Sequence, residues 1–298
     1  MASIRIKPCG SRPKRAQHRR IPRHELALGV LVISFGSACS PEVQVGTWTW
    51  ACTGSAGSSA DSTDGGTSDA AGTSDGAAVP IVIPWSTGFE DGFCDYPAAK
   101  GFCYEMGAAS REIVQSPVHS GRFAAAFTID STSTTRGPQT RCFREGSLPR
   151  EAYYGAWYFI PTLQTNTGNW NLFHFQGGAG PGPGLDGLWD VSLVNDPSGN
   201  LKLSILDFLV SPAVRTSVAP LVPIGSWFHI QFFLRRAADN TGEVAVYQDG
   251  AMVYHVDNVV TDNTAFQQWY VGNLASTNAL MPPQSTIYVD DVEISESR

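Results

Sequence analysis

Short runs of β-branched and aromatic residues, separated by turn sequences, are the feature that most constrains the fold of this chain. Several runs alternate between two residue classes, and this period of two is typical of a strand with one buried face. Turn sequences such as Asp196-Pro197-Ser198-Gly199 and Asp249-Gly250 lie between them. Nine strands are predicted: Phe123–Ile129, Tyr153–Ile160, Trp170–Gln176, Trp189–Val194, Leu201–Phe208, Trp227–Leu234, Glu243–Gln248, Met252–Val256 and Ile287–Ile294.

These strands follow one another within residues 80–298, and few stretches there have helical periodicity. Regularly spaced short strands with turn signals are typical of antiparallel sheets packed face to face. We therefore predict one all-β domain, an antiparallel two-sheet β-sandwich of the jelly-roll type, over residues 80–298.

Residues 1–39 have the features of an export signal. A basic start is followed by the apolar run Leu26–Ala38, which has the length of a signal-peptide core and is too short to span a bilayer. The small residues before Cys39 resemble a bacterial lipobox, in which the cysteine is lipidated. We expect a lipoprotein of the bacterial cell surface or outer membrane anchored through Cys39, with simple secretion as the alternative.

Residues 40–79 are predicted to be a disordered tether. From Thr53 to Ala78 every residue is Ser, Thr, Asp, Gly or Ala. Such a composition buries too little apolar surface to offset the entropy lost on ordering. The expected arrangement is a lipid anchor, a flexible acidic spacer and a folded domain held away from the membrane.

The charge distribution argues against nucleic acid as a partner. Residues 1–25 hold eight basic residues and one acidic residue, so 12 of the 20 basic and 26 of the 27 acidic residues remain in the rest of the chain. Binding to nucleic acid needs a basic footprint, and this acidic body lacks one.

Four cysteines lie beyond the export signal: Cys52, Cys94, Cys103 and Cys142. In an exported protein they are expected to form disulfides, and four cysteines allow three pairings. Cys94 with Cys103 closes a short loop and is the preferred pair, with the other pairings left open.

Five segments resemble parts of the concanavalin A-like lectin/glucanase superfamily, and within it polysaccharide lyases of the heparin-lyase and alginate-lyase type. They are Phe89–Gly92 (opening strand), Val118–Ala124 (second strand), Tyr153–Pro161 (central strand ending in proline), Trp227–Gly250 (the hairpin of laminin-G-like modules) and Ile287–Ile294 (last strand). The resemblance covers most of residues 85–298 and implies a concanavalin A-like jelly roll. Fold does not fix function, so the chemistry must come from the site.

Two predicted strands each place Trp, His and Gln on the face opposite their Phe-rich side. By alternation, Trp170, His174 and Gln176 share a face of one strand, and Trp227, His229 and Gln231 share a face of the other. Aromatic faces stack on sugar C–H bonds, while Gln and His bond hydroxyls, so these six residues are candidates for a polysaccharide-binding groove. The alternative is that both Trp are core residues and that neighbours satisfy both His.

The resemblance to the lyases also implies three catalytic tasks: neutralising a uronate carboxylate, removing the C5 proton and protonating the leaving oxygen. Arg141 matches the arginine strand of the family, and His174 matches its histidine. Leu172 stands where the family has Gln, and Leu274 stands at its tyrosine position. Tyr270, at the lysine position, is then the candidate phenol, with Tyr154 as the alternative.

A basic cluster surrounds Arg141, and Arg144 within it is a candidate contact for an anionic polymer. The alternative is an arginine-rich loop that pairs with acids such as Glu145 and Glu151. No cofactor is expected to be required. Jelly-roll carbohydrate modules nevertheless often hold structural calcium, and the candidate oxygen ligands are Glu90, Asp91, Asp290 and Asp291.

The sequence thus predicts an exported, surface-tethered β-sandwich that binds extracellular polysaccharide. Binding without chemistry is the first interpretation because the lyase residues are incomplete, and a polysaccharide lyase acting by β-elimination is the alternative. A hydrolase using Asp186 and Asp190 and a protein-adhesion module are the remaining hypotheses.

Overall fold

The computed structural model describes residues 80–132, 137–180, 185–211 and 213–298. The predicted signal peptide, Cys39 and the tether lie outside these residues. In the part of the chain that is described, no helix is long and apolar enough to cross a membrane.

Two large antiparallel sheets make up the domain. Sheet A contains β1 (Trp85–Thr87), β3 (Ala109–Val114), β4 (Ala124–Asp130), β6 (Glu151–Phe159), β12 (Trp227–Arg235), β13 (Gly242–Gln248), β14 (Ala251–Val259) and β17 (Gln284–Ser295). Sheet B contains β2 (Gly101–Met106), β5 (Gln139–Gly146), β8 (Trp170–Gly178), β9 (Asp186–Asn195), β10 (Leu201–Asp207), β11 (Val214–Leu221) and β15 (Phe266–Ala275). The short strands β7 (Thr165–Asn166) and β16 (Leu280–Met281) pair with each other, and α1 spans Asp95–Ala98.

Strand order explains which residues become neighbours. Sheet A runs β14-β13-β12-β6-β17-β4-β3, with β1 also paired to β17, and sheet B runs β11-β10-β9-β8-β15-β5-β2. The inner faces of the two sheets form one apolar core. The all-β, antiparallel two-sheet sandwich predicted from the sequence is confirmed.

Alternation along β12 follows the prediction. Phe228, Ile230, Phe232 and Leu234 are fully buried, and the intervening side chains face outward. Phe232 stacks on Phe173 of sheet B, with ring centroids 5.8 Å apart, so the two inner faces interlock through aromatic rings.

All nine predicted strands are present, with ends that differ by at most three residues. Several strands had not been predicted, among them β2, β5 and β15, which are the three adjacent strands at one side of sheet B. Each of these strands contains charged or amide residues and a glycine. They therefore lack the strict alternation of apolar and polar residues by which the other strands were predicted.

The preferred disulfide was wrong. Cys103 pairs with Cys142 rather than with Cys94, and Cys94 is itself disulfide-bonded. Cys103 and Cys142 lie directly opposite each other on β2 and β5, with their Cα atoms 4.0 Å apart. The pairing of β2 with β5 therefore determines that Cys142 is the partner of Cys103, and this pairing could not be inferred from the spacing of the cysteines in the sequence.

This pairing predicts the peptide map of the protein. Digestion without reduction is expected to release a fragment in which the Cys103 and Cys142 peptides are joined, identified by mass spectrometry. A joined Cys94–Cys103 fragment would contradict the pairing. Replacing both cysteines by alanine is expected to lower the free energy of unfolding by about 2–4 kcal/mol, measured by urea titration.

Candidate functional site

Five side chains from neighbouring strands meet on the outer face of sheet B. Antiparallel register places His174 opposite both Asp190 of β9 and Tyr270 of β15. Arg141 of β5 lies opposite Tyr104 of β2, and β5 is the next strand to β15. We call these five residues the candidate site.

Arg141 is held by its neighbours in a fixed position. Its Nη2 donates to the Tyr104 hydroxyl at 2.9 Å and to Gln139 Oε1 at 2.6 Å, and its guanidinium lies 4.4 Å from the centre of the Tyr270 ring. Among the described residues Nη1 has no hydrogen-bond partner, so one donor of this cation is available to an anionic ligand.

His174 and Asp190 form a buried pair. Nδ1 of His174 contacts Oδ1 of Asp190, and only 7% and 2% of the two residues are exposed. An imidazole that donates from Nδ1 to a carboxylate carries its lone pair on Nε2. The pair therefore presents a base at Nε2, which has no protein partner within the described residues.

Tyr270 lies between His174 and Arg141. Its ring centroid is 5.7 Å from that of His174, and its hydroxyl bonds Gln268 Oε1 and, at 3.3 Å, Gln176 Oε1. Burial raises the pKa of Tyr270 well above its usual value, and the nearby Arg141 offsets only part of this effect. The phenol is therefore protonated and is equipped to donate a proton.

A glycine next to Arg141 makes the packing of β15 on β5 possible. Gly272 has φ +143°, and a Cβ placed on it would lie 2.8 Å from Cα of Arg141. Gly272 also lies within the segment Val271–Leu274, where the pairing of β15 with β8 shifts register. Gly272 thus permits the close approach of β15 to β5 at Arg141, and its backbone accommodates the irregular pairing with β8 on the other side.

Trp170, predicted to be in the groove, lies in the core instead. The pairing of β8 with β9 shifts register between Asn171 and Phe173, which leaves Leu172 as an extra residue. A bulge of this kind breaks the alternation of side chains, so Trp170 and Leu172 face inward like Phe173. The Trp170 indole donates to Asn273 Oδ1 at 3.0 Å, which satisfies it inside the sandwich.

Arg144 also does not join Arg141. It lies on the inward side of β5, is 2% exposed, and its guanidinium sits 4.3 Å from the centre of the Trp85 ring. Gln176, in contrast, adjoins the candidate site through its contact with Tyr270.

Trp227, His229 and Gln231 lie on the outer face of sheet A, away from His174 and Gln176. The two sets of Trp, His and Gln predicted from the sequence therefore lie on two different surfaces and do not form one groove.

His229 stacks on Trp157, with ring centroids 5.0 Å apart, and His119 stacks on the same ring, with centroids 3.7 Å apart. Both faces of the Trp157 ring are thus covered. Burial lowers the pKa of His229, so its neutral form is favoured.

The predicted calcium ligands are engaged with backbone N–H groups and with a histidine. Oε1 of Glu90 accepts from the amides of Arg122 and Phe123 at 2.7 and 3.1 Å. Oδ2 of Asp290 accepts from the amides of His119 and Ser120.

Asp291 contacts Nδ1 of His119 at 2.6 Å, and Asp91 is exposed. Within the described ranges, no group of three or more His, Cys, Asp or Glu side chains is arranged to hold a metal ion. A structural calcium ion at this position stays a prediction.

Sequence reasoning missed Tyr104, Gln139 and Gln268 and considered Asp190 only as a hydrolase residue. The charged and amide residues of β5 and β15, spaced two apart as in Gln139 and Arg141 or Gln268 and Tyr270, were the available signal. Asp190 now contacts His174, whereas Asp186 is exposed at the start of β9. The two acids do not form a pair facing a common bond.

Comparisons with known proteins give a likeness of structure but none of sequence. No protein-family model matches the sequence, and no curated protein matches it. The endo-β-1,4-glucuronan lyase of the fungus Trichoderma reesei is similar in structure, with a TM-score of 0.55 and 18% identity over 72% of this chain and 95% of that chain.

Two further solved structures are similar at lower scores. An alginate lyase from Aplysia kurodai has a TM-score of 0.47 and 12% identity, over 70% of this chain and 97% of that chain. The cellulose-induced protein Cip1 has a TM-score of 0.46 and 12% identity, over 72% and 97%. The glucuronan lyase confirms, for the fold, the resemblance to concanavalin A-like polysaccharide lyases that the sequence predicted.

The role of Gly272 is testable with a matched glycine. Gly272→Ala is expected to lower the free energy of unfolding by about 3 kcal/mol or more, because left-handed strain and a collision with β5 add together. Gly199→Ala has the strain alone, since φ is +87° and nothing lies within 4 Å of its Cβ. It should cost about 1–2 kcal/mol. Equal losses in urea titration would show that the close approach to β5 contributes nothing.

Proposed function

We propose that this protein is a polysaccharide lyase that cleaves a uronate-containing polymer by β-elimination at the candidate site. The observation that carries the proposal is the convergence of Arg141, His174 and Tyr270 from three separate strands, with the Tyr270 ring in contact with both others. A cation, a base and a phenol are the three groups that this elimination requires. The lyase alternative is therefore favoured over binding without chemistry.

Arg141 is assigned to the substrate carboxylate. Abstraction of the C5 proton places negative charge on the adjacent carboxylate, and a positioned cation stabilises that charge in the transition state. Two hydrogen bonds fix Nη2 to Tyr104 and Gln139, so Nη1 is the donor left for the substrate. Because the guanidinium is already positioned, little reorganisation is needed when the charge develops.

His174 is assigned as the base that removes the C5 proton through Nε2. Asp190 holds the ring in one tautomer from the other side and stabilises the imidazolium that forms. Both residues are almost fully buried, so water competes little for the base.

Tyr270 is assigned as the acid. Its hydroxyl gives a proton to the oxygen at C4 as the C4–O bond breaks and the C4–C5 double bond forms. The direction of its pKa shift suits this role, because burial keeps the phenol protonated before the reaction. The opposite assignment, a tyrosinate base, would need the phenol to ionise against that shift.

The similar fold of a glucuronan lyase supports a uronate polymer as substrate. The disulfide between Cys103 and Cys142 supports action outside the cytoplasm, because such bonds persist in oxidising compartments. We retain the proposal that the domain is tethered to the bacterial surface through a lipid anchor at Cys39.

The direct test is elimination itself. The protein is incubated with glucuronan, alginate, heparin or pectate, with and without calcium, and ultraviolet absorbance reports the unsaturated uronate that only elimination creates. A rise with one polymer is expected. His174→Ala and Tyr270→Phe should each reduce kcat by about 10²–10⁴-fold. Retention on immobilised polymer without any absorbance change would favour the binding-only hypothesis instead.

The opposite face of the sandwich supplies the matched control. Trp227→Ala and His229→Ala remove an aromatic residue and a histidine from the outer face of sheet A. Turnover is expected to stay within about twofold of the unmodified protein if chemistry is confined to sheet B. A loss of turnover in either variant as large as that of His174→Ala would indicate that the active site lies on sheet A instead.

Asp190 is expected to act through His174 as a positioning residue. Asp190→Asn should lower kcat with little change in KM, because the ring loses the anion that stabilises its protonated form. Asp190→Glu, which keeps the anion, should recover part of the kcat that Asp190→Asn loses. Equal losses of kcat in the two variants would indicate a purely structural role.

A further inference from the structure

Arg144 is a buried cation without an anionic partner. It is 2% exposed, and among the described residues no carboxylate forms an ion pair with it. Within the described ranges, Arg144 makes one hydrogen bond, from Nε to the carbonyl oxygen of Ala99 at 2.8 Å, and its Nη1 is buried without a hydrogen-bond partner. Burying a charge in this way is costly unless an anion compensates it.

A cavity of about 270 Å³ lies beside this guanidinium. Ile81, Val82, Pro84 and Trp85 give it mostly apolar walls, and Lys100 adds a second cation. Glu145 also borders the cavity, but its Oε2 accepts from Gln268 Nε2 at 2.8 Å on the outer face of sheet B. The cavity thus combines a pre-positioned guanidinium with apolar surface.

We propose that this cavity is a binding site for a small carboxylate with an apolar body, held by Arg144. The carboxylate would accept from Nη2 in a charge-assisted hydrogen bond, because Nε already donates to Ala99 and Nη1 is enclosed by protein. The apolar body would pack against Ile81, Pro84 and Trp85. The site is distinct from the candidate site because Arg141 and Arg144 lie on opposite faces of β5, so it does not depend on the lyase proposal.

Two further features fit an anionic occupant. The guanidinium lies over the Trp85 ring, which fixes its plane before any ligand arrives. Burial lowers the pKa of Arg144 to about 10, because desolvation disfavours its charged form. A bound carboxylate would restore the stabilisation that the cation loses on leaving water.

The test uses benzoate as probe and benzamide as its uncharged counterpart. Isothermal titration calorimetry of the full-length protein is expected to show benzoate binding at one site and benzamide binding at least tenfold more weakly. Arg144→Met should weaken benzoate by about 30-fold or more, since one partner of a buried charge pair is removed. Arg141→Met, three residues away on the same strand, should leave benzoate binding unchanged.

A second variant guards against a folding defect in Arg144→Met. Val82 is 77% exposed at the edge of the cavity, so Val82→Glu should fold normally and weaken benzoate by competing for the guanidinium. No heat with benzoate, equal affinity for benzamide, or binding that survives both Arg144→Met and Val82→Glu would overturn the proposal. Loss in Arg141→Met instead would assign the carboxylate to the candidate site.

Discussion

The pairing of β15 with β8 on one side and β5 on the other is the constraint on which the site depends. Antiparallel register with β8 fixes Tyr270 opposite His174, and uninterrupted register with β5 places Arg141 opposite Gly272, two residues along β15 from Tyr270. Because side chains alternate with a period of two, a slip of one residue would turn Tyr270 into the core and Trp269 outward. The large apolar area of Trp269, which packs on Phe173 and Tyr154, opposes such a slip.

The sequence was informative where one face of a strand is apolar and the other is not. In β12 the apolar residues alternate without interruption, so both its existence and its buried face could be predicted. In β8 the extra residue Leu172 reverses the alternation, and local sequence carries no mark of that bulge because Trp170 and Leu172 suit either face. Strands β5 and β15 were missed because several of their outward residues are charged or amide-bearing, as are Gln139, Arg141 and Gln268.

Spatial grouping was harder to predict than residue type. Arg141, His174 and Tyr270 were singled out individually, but their contact depends on the order β8-β15-β5, which is set by long-range pairing. For the same reason, the two Trp, His and Gln sets were expected to share a groove although they belong to different sheets. The type of a residue indicates whether it could contact a given ligand. The order of strands in the sheet determines which of these residues lie close enough together to contact the same ligand.

The disulfide also has a mechanical consequence. It joins β2, one of the two edge strands of sheet B, to β5, and Tyr104 follows Cys103 directly in the chain. A strand at a sheet edge has neighbours on one side only and separates most easily from the rest. The covalent link prevents that separation at the residue next to the hydroxyl that holds Arg141. A bond that restrains the edge of sheet B in the core therefore also restrains the hydroxyl that holds Arg141 on the opposite face of the same two strands.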